Sequence, residues 1–477
     1  MIGWIILGMV LLFFCVILLR TLFFRPEEKT PQEISSIALN EEKIVSDMVD
    51  MIRCKTVSDR EESQVDRAEF ARFEALLQER FPKIHTACHL EKIGKTGLLY
   101  HLPGDSHEKP TVLMSHYDVV PVDEAGWDRP AFEGLIEEGC IWGRGTLDTK
   151  GTLCGVTEAL EMLLTDGYRP KQDLYLSFSG EEEIDGNSCA EIVSYLEEKG
   201  IVPALVLDEG GAVVQNVFPG MKEECALVGV GEKGGLNLQF TLASEGGHAS
   251  TPPVNTICGK LAKAMCKIEK KPFSYQLTPP VKKMFDTLGR HSNFLFRMIF
   301  ANLWCFAPVL DLYGRLCGGE INALLRTTVA ITRMEGSRAY NVLPPKASFA
   351  ANLRLLGKDN IQSAKEYLHR VIGNEKVQID VVNGMNPSIY SDTDCEGWDT
   401  LKCAISQTWP EAVVSPYLML ACSDSRHYCR ISDKVYRFSA MRLSKEERAS
   451  IHGNNERIPI PTLLKTVEFY VRLLQMI

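Results

Sequence analysis

The stretch Thr111-Val-Leu-Met-Ser-His-Tyr-Asp-Val-Val-Pro121 runs an apolar segment straight into a polar turn. A short apolar run bounded in this way predicts a buried strand, with His116 and Asp118 at its carboxyl end. The form recurs twice. Asp173-Leu-Tyr-Leu-Ser-Phe178 leads into Gly180-Glu-Glu-Glu-Ile-Asp-Gly186, and Ala204-Leu-Val-Leu207 leads into Asp208-Glu-Gly-Gly211. Between these strands, 151–164 and 189–198 read as helices, and apolar residues at helical spacing predict two earlier ones over 40–53 and 62–80. Strand, helix, strand at this rhythm predicts an α/β fold around a mostly parallel sheet with flanking helices on both faces. Ligands of such sheets collect beyond the carboxyl ends of the strands.

Working outward, 477 residues predict two or three domains. A hydrophobic fraction of 45% with 24% charged residues is that of a folded chain and excludes a disordered or collagen-like one. The 52 Lys and Arg against 62 Asp and Glu leave a net charge of −10, which argues against nucleic acid as a partner. Residues 1–19 carry no charge, long enough for a transmembrane helix. A cleaved signal peptide wants a basic start and a small-x-small site after the apolar run; Arg20 and Arg25 instead lie at its far end, followed by Pro26-Glu-Glu28. The expectation is an uncleaved single-pass anchor over 1–25 and a linker over 26–39, with the arginines favouring a cytoplasmic body. Fifteen cysteines, an odd number with no C-x-x-C pair, read as reduced and mostly buried thiols.

The catalytic unit is expected to start at residue 40 and to pause at 230. A second, α+β unit over 231–357 opens with Gly234-Gly-Leu-Asn-Leu-Gln-Phe-Thr-Leu242, which alternates like a half-buried strand. Inside it, the Phe-, Leu- and Trp-rich segment 290–317 reads as a buried helical insertion, because Arg297, Asp311 and Arg315 interrupt it. From 358 to 477 the first unit is expected to resume.

The polar clusters supply ligands. With Gly143-Arg-Gly-Thr-Leu-Asp-Thr-Lys-Gly151 and Ile451-His-Gly-Asn-Asn-Glu-Arg457, they offer two histidines and several carboxylates. Each cluster alone has a bland reading as a solvated loop. Together, His116, Asp148, Glu183, Asp208 and His452 form an N/O set suited to zinc, with cobalt or manganese as substitutes. One zinc needs about three protein ligands plus water. Five ligands therefore favour two metals sharing one carboxylate.

The ordered motifs Ser115-His-Tyr-Asp-Val-Val-Pro121, Gly143-Arg-Gly-Thr-Leu-Asp148, Gly180-Glu-Glu-Glu183, Asp208-Glu-Gly-Gly211, Gly247-His-Ala-Ser250, Asn341-Val-Leu-Pro344 and the His452 cluster span nearly the whole chain. They resemble the M20 family of metallopeptidases, in particular the branch of carboxypeptidase S and the N-fatty-acyl amino acid hydrolases. The resemblance implies a zinc-exopeptidase-like sheet, with the inserted unit as a lid and dimerisation domain. It implies two Zn2+ bridged by Asp148, with His116 and Asp208 on one and Glu183 and His452 on the other. Asp118 would orient the His116 imidazole and Glu182 would be the general base. His248 would reach a partner subunit's site and stabilise the oxyanion, which implies a homodimer. Arg354 would grip a substrate carboxylate bidentately, with Asn322 as a second candidate.

Two departures stand out. Gly180 replaces a customary histidine before the glutamate run, and Cys422-Ser-Asp-Ser-Arg426 replaces a Thr-Asp-containing loop. The expected activity is cleavage of an amide or peptide bond next to an amino acid with a free carboxylate. Carboxypeptidase, dipeptidase and N-acyl amino acid hydrolase share every residue named above. A non-catalytic binding protein on the same fold would lack the base or several ligands.

Overall fold

The computed structural model describes residues 1–26, 34–216 and 218–477. Half of the expected linker, 27–33, lies outside them.

The apolar amino terminus is one helix, α1 (Ile2–Phe23), in which only Ile17 and Thr21 are buried. Helices α2 (Glu41–Arg53), α3 (Arg67–Arg80) and α4 (Pro82–Ala87) follow, the first two capped by Asn40 and Asp66 side chains. The catalytic unit then builds β1 (His89–Ile93), β2 (Gly97–Leu102), β3 (Ser106–His116), the short β4 (Leu135–Glu137) and β5 (Cys140–Trp142), and α5 (Lys150–Thr165). Next come β6 (Gln172–Ser179), α6 (Ser188–Glu198), β7 (Leu205–Val214) and β8 (Cys225–Glu232). The second unit contains β9 (Gly234–Ala243), β10 (Gly247–His248), α7 (Ile257–Lys270), α8 (Pro279–His291), α9 (Phe294–Ala301), α10 (Leu303–Cys317) and α11 (Gly319–Leu325). It continues with β11 (Thr328–Glu335), β12 (Val342–Leu343), β13 (Lys346–Leu355), α12 (Ile361–Ile372) and β14 (Gln378–Gly384). The chain closes with α13 (Glu396–Thr408), β15 (Val413–Met419), β16 (Val435–Arg442), α14 (Lys445–Ser450), β17 (Arg457–Pro459) and α15 (Ile460–Met476).

The main sheet has eight strands in the order β1-β2-β6-β3-β7-β16-β8-β15. Its centre, β6-β3-β7-β16, is parallel, and β1 and β2 add an antiparallel edge. Alternation along β3 sends Val112 and Met114 to one face, where α6 packs with Ile192, Val193 and Leu196. Leu113 goes to the other face, into the large core beneath α2, α5, α13 and α15. Because both faces are covered, the central strands carry continuous apolar runs, Val112-Leu-Met114 in β3 and Leu205-Val-Leu207 in β7, that stop at polar residues.

The second unit is a four-stranded sheet, β11-β13-β9-β14, antiparallel at every pairing. Leu236, Leu238, Phe240 and Leu242 of β9 face α7 and α12 through a core of its own, in which Phe240 and Phe349 stack at 4.3 Å. This corrects the expected boundary at 357. Helix α12 and strand β14 complete the second sheet, so the unit closes after Gly384 and the catalytic unit resumes with α13.

Helices α8 to α11 leave that sheet and pack on the catalytic body. Val281, Met284, Phe285 and Leu288 of α8, at i, i+3, i+4 and i+7, join the main core. Helices α9 and α10 meet at an elbow of 111°. The expectation of a buried insertion holds for one face only. Phe300, Ala301 and Ala307 are buried, while Phe294, Leu295, Trp304, Leu312 and Leu316 are exposed. Asp311, read as a sign of burial, is held by Arg326 and by Arg315 at 3.0 Å.

Candidate metal centre

His116 ends β3, and the strand's register directs its imidazole beyond the sheet. Its Nδ1 faces the Asp118 carbonyl at 3.0 Å and the Asp118 carboxylate at 3.4 Å. With that nitrogen occupied, Nε2 is left to the site. It lies 3.0 Å from Asp148 Oδ1 and 3.3 Å from Glu209 Oε1. His452 arrives from the other end of the chain in a left-handed turn (φ 58°), with Nε2 at 2.9 Å from Asp148 Oδ2 and 3.0 Å from Glu183 Oε2. Asp148 thus presents one oxygen to each imidazole.

Two further carboxylates hold this arrangement. Asp118, fully buried, accepts hydrogen bonds from the Glu182 and Glu183 backbone amides at 3.2 and 3.1 Å and from the Ser58 hydroxyl at 2.7 Å. It fixes the imidazole and the glutamate turn together. Glu456, also fully buried, accepts from the Leu147 amide at 2.8 Å and the Asp148 amide at 3.2 Å and pairs with Arg144 at 2.6 Å. Arg144 in turn donates to the Gly453 carbonyl at 2.7 Å. The Asp148 loop and the His452 loop, some 300 residues apart in sequence, are therefore pinned to each other. Glu456 and Glu209 both stand inside the polar clusters of the sequence, where nothing in the residue pattern marks either as part of the site.

Asp208 and Glu209 are turned differently. The Asp208 carboxylate is fully buried and accepts from the Ser425 amide at 3.0 Å, while Glu209 turns toward His116. The cause is a bulge: Asp208 pairs with Arg437, but the next partner, Phe438, faces Gly211. The extra residues interrupt the alternation and re-aim the side chain. Among the described residues, the groups that converge tightly enough to hold a cation are His116 with Asp148 and Glu183, and His116 with Glu182 and Glu209, their ligand atoms within 4.8 Å of one another.

The electrostatics demand positive charge. Burial first, then the neighbouring Asp148 charge, pushes Glu209 up to about 8. Burial, with repulsion from Glu209, Asp424 and Asp148, holds Glu182 well above the carboxylate range despite the attraction of His116. Hydrogen bonds to Asp148 and Glu183 raise His452 to about 10. Burial opposes charge on Asp148, yet the two histidines hold its pKa below the usual range. A buried cluster with more carboxylates than cations is costly unless cations compensate it. Two imidazoles with a shared carboxylate and two terminal ones fit divalent metals with N/O preference.

The remaining candidates lie in or beside the second unit. Arg354 sits on β13 opposite Gly235, with Nη1 3.5 Å from Cys422 Sγ. The 422–425 loop therefore touches Arg354 at one end and Asp208 at the other. Lys233 lies close by, its pKa lowered to about 7 by burial and by the Arg354 charge. His248 is exposed on the two-residue ladder β10–β12, with Nδ1 2.7 Å from Ser250 Oγ, and makes no contact with the cluster. Asn322 packs its backbone beside Gly314 of α10, and no hydrogen bond brings it to Arg354 or to the metal-site carboxylates.

Residues 112–476 match peptidase family M20/M25/M40. The chain belongs to this family. N-fatty-acyl-amino acid synthase/hydrolase PM20D1 of Xenopus tropicalis is 34% identical over 98% of this chain and 93% of its own length. Probable carboxypeptidase S-like 2 of Dictyostelium discoideum is 33% identical, covering 94% of this chain and 87% of its own. The M20 family metallo-carboxypeptidase Sso-CP2 from Sulfolobus solfataricus shares the fold, with a TM-score of 0.69 at 18% identity over 91% of this chain and 98% of that one. The M20 chain described here is thus an enzyme acting on C–N bonds, with a candidate metal site at the carboxyl ends of its parallel strands.

Proposed function

We propose that this M20 enzyme is a membrane-anchored, two-metal amide hydrolase that cleaves the bond to an amino acid bearing a free carboxylate. The observation that carries the reading is Asp148, which offers one oxygen to the Nε2 of His116 and the other to that of His452. His116 and Glu209 would hold one zinc, His452 and Glu183 the other, and Asp148 both. Bound zinc would polarise the scissile carbonyl and lower the pKa of water. Glu182, hung from Asp118 by its own amide, is the base that accepts the proton of the attacking water and passes it to the leaving amine. Arg354 orients the substrate carboxylate as a planar fork. His248, too far from the cluster in one chain, acts on a partner subunit's substrate in a homodimer.

Helix α1 has 22 residues, about 33 Å at the helical rise, sufficient to span the hydrocarbon layer. Arg20 and Arg25 at its carboxyl end favour a cytoplasmic body.

The exposed apolar face of α9 and α10 beside α1 favours a long-chain N-acyl amino acid over a short peptide. The test is hydrolysis by the full chain in detergent, loaded with zinc, cobalt or manganese, of dipeptides of the glycyl-leucine type and of long-chain N-acyl amino acids. Turnover of neither, with two metals bound, would remove the hydrolase reading and leave a binding protein.

A further inference from the structure

An apolar cavity of about 360 Å3 lies between α8–α11 and strands β8 and β15, within the size range of ligand pockets. Phe285, Leu288, Phe300 and Leu324 form its inner wall. Val309 and Tyr313 of α10 line it as well, yet both are about half exposed on the outside of the molecule. On that side the cavity is therefore only one helix deep.

The outer surface there is apolar and continuous with α1. Arg20 donates to the Ala301 carbonyl at 3.0 Å, Asn302 donates to the Ile17 carbonyl at 3.3 Å, and Phe13 meets Trp304 edge-on at 5.7 Å. The elbow is thereby fastened to the second half of the candidate span. Its uncovered Leu295, Trp304, Leu312 and Leu316 would lie at the bilayer surface if α1 spans the membrane as proposed.

The polar part of the lining is Glu320, Tyr417 and Arg448, which lie near one another. The buried Nε of Arg448 has no hydrogen-bond partner. Arg448 lies on α14, four residues before His452, at most about 15 Å of chain from the metal centre. One cavity is thus lined both by α10, whose outer face is exposed, and by α14, the helix that precedes the candidate ligand His452.

We propose that this cavity holds the acyl chain of a long-chain N-acyl amino acid, which enters sideways from the bilayer past α10 while the amide reaches the metals. The proposal rests on the amide-hydrolase reading and places the acyl subsite of that enzyme. Lateral entry keeps the chain out of water, where each exposed methylene weakens binding by about fourfold.

The test uses full-length, zinc-loaded Glu182→Gln protein in phosphatidylcholine nanodiscs, so that the bound amide persists. The probe is N-palmitoyl leucine carrying a diazirine at the chain end. Photolysis should place adducts on α8–α11, displaced by unlabelled N-palmitoyl leucine and not by N-acetyl leucine. Adducts elsewhere, or on these helices with no displacement by unlabelled N-palmitoyl leucine, would overturn the assignment; in the second case a membrane phospholipid fills the cavity.

In otherwise unaltered protein, Leu310→Trp and Ile321→Trp, both at half-buried lining positions, should lower the ratio of kcat/KM for palmitoyl over acetyl substrate at least tenfold, about two methylenes' worth. Thermal unfolding checks that each variant folds. An unchanged ratio in folded variants also counts against the cavity. Labelled helices without hydrolysis of any N-acyl amino acid would sink the hydrolase reading and leave the acyl site standing. Hydrolysis without labelling or chain-length preference would do the reverse.

Discussion

The metal-binding cleft and the second unit are built on opposite plans. In the cleft, the converging side chains end rigid strands or loops, and buried carboxylates brace them: Asp118 under the glutamate turn and Glu456 between the Asp148 and His452 loops. In the second unit, His248 is exposed on a two-residue ladder, and Arg354 approaches a cysteine sulfur. Chemistry is thus prearranged within one unit, whereas the groups that would recognise substrate lie on another with its own core. A cluster of ionised carboxylates needs fixed geometry to attract cations, and substrate entry needs a part that stands clear of them.

The sharpest challenge to this contrast is at the base. Glu182→Gln should lower kcat by about 10²–10⁴ and leave bound metal unchanged, because the amide can still hydrogen-bond water but cannot take its proton. Metal analysis alongside kinetics decides it. Loss of metal in this variant would move the ligand role from Glu183 to Glu182.

On the second unit, His248→Ala should lower kcat by about 10²–10³ with no change in metal content, the cost of one lost oxyanion donor. Mixing these subunits with Glu182→Gln subunits should restore activity, since one site in each hybrid has both an intact base and an intact histidine. If verified hybrids stay inactive, the two units do not cooperate across a dimer.

The bulge in β7 offers a finer comparison between neighbours. Glu209→Gln should weaken zinc binding by more than about 10², beyond the usual loss for a supporting residue. Asp208→Asn should retain zinc and disturb the 422–425 loop instead, seen as a raised KM. Competition with a chromophoric chelator measures the first quantity. The reverse pattern would return the ligand role to Asp208. Asp118→Asn, which removes support only, should cost about 10–100-fold in metal affinity or activity.

The sequence made the strand ends legible because each apolar run stops at a polar cluster, and burial on both faces forces that pattern. It could not separate Asp208 from Glu209. Adjacent carboxylates are told apart by period-two alternation, and a bulge interrupts that period where Gly210 takes a φ of 136°. The unit boundary is hidden in the sequence because β14 is an edge strand with a single buried residue, Ile379, so no apolar run announces it. Charges inside an apolar segment usually mean a soluble core, which is why the elbow reads as buried in the sequence. Here Asp311 and Arg326 satisfy each other beneath one face while the other stays apolar.

The smallest expected effect compares the cleft with and without metal. In chelated protein, Glu209 is raised to about 8 by burial and the Asp148 charge, and His452 to about 10 by its hydrogen bonds to Asp148 and Glu183. Both groups bind a proton more tightly folded than unfolded, where Glu and His titrate near about 4.3 and 6.5. Their stabilisation is complete below those unfolded values and is lost as pH rises through the folded ones. The thermal midpoint of metal-free protein should therefore fall from about pH 4.3 to pH 8 through Glu209 and from about pH 6.5 to pH 10 through His452, with the His452 share reduced because that side chain is half exposed. Zinc takes the place of the protons, so its affinity should strengthen over the same interval and flatten or reverse the fall. A scan of unfolding temperature against pH, with chelator and with zinc, tests both halves. A chelated protein that holds its midpoint past pH 8 would mean that the carboxylates do not repel one another as this geometry requires.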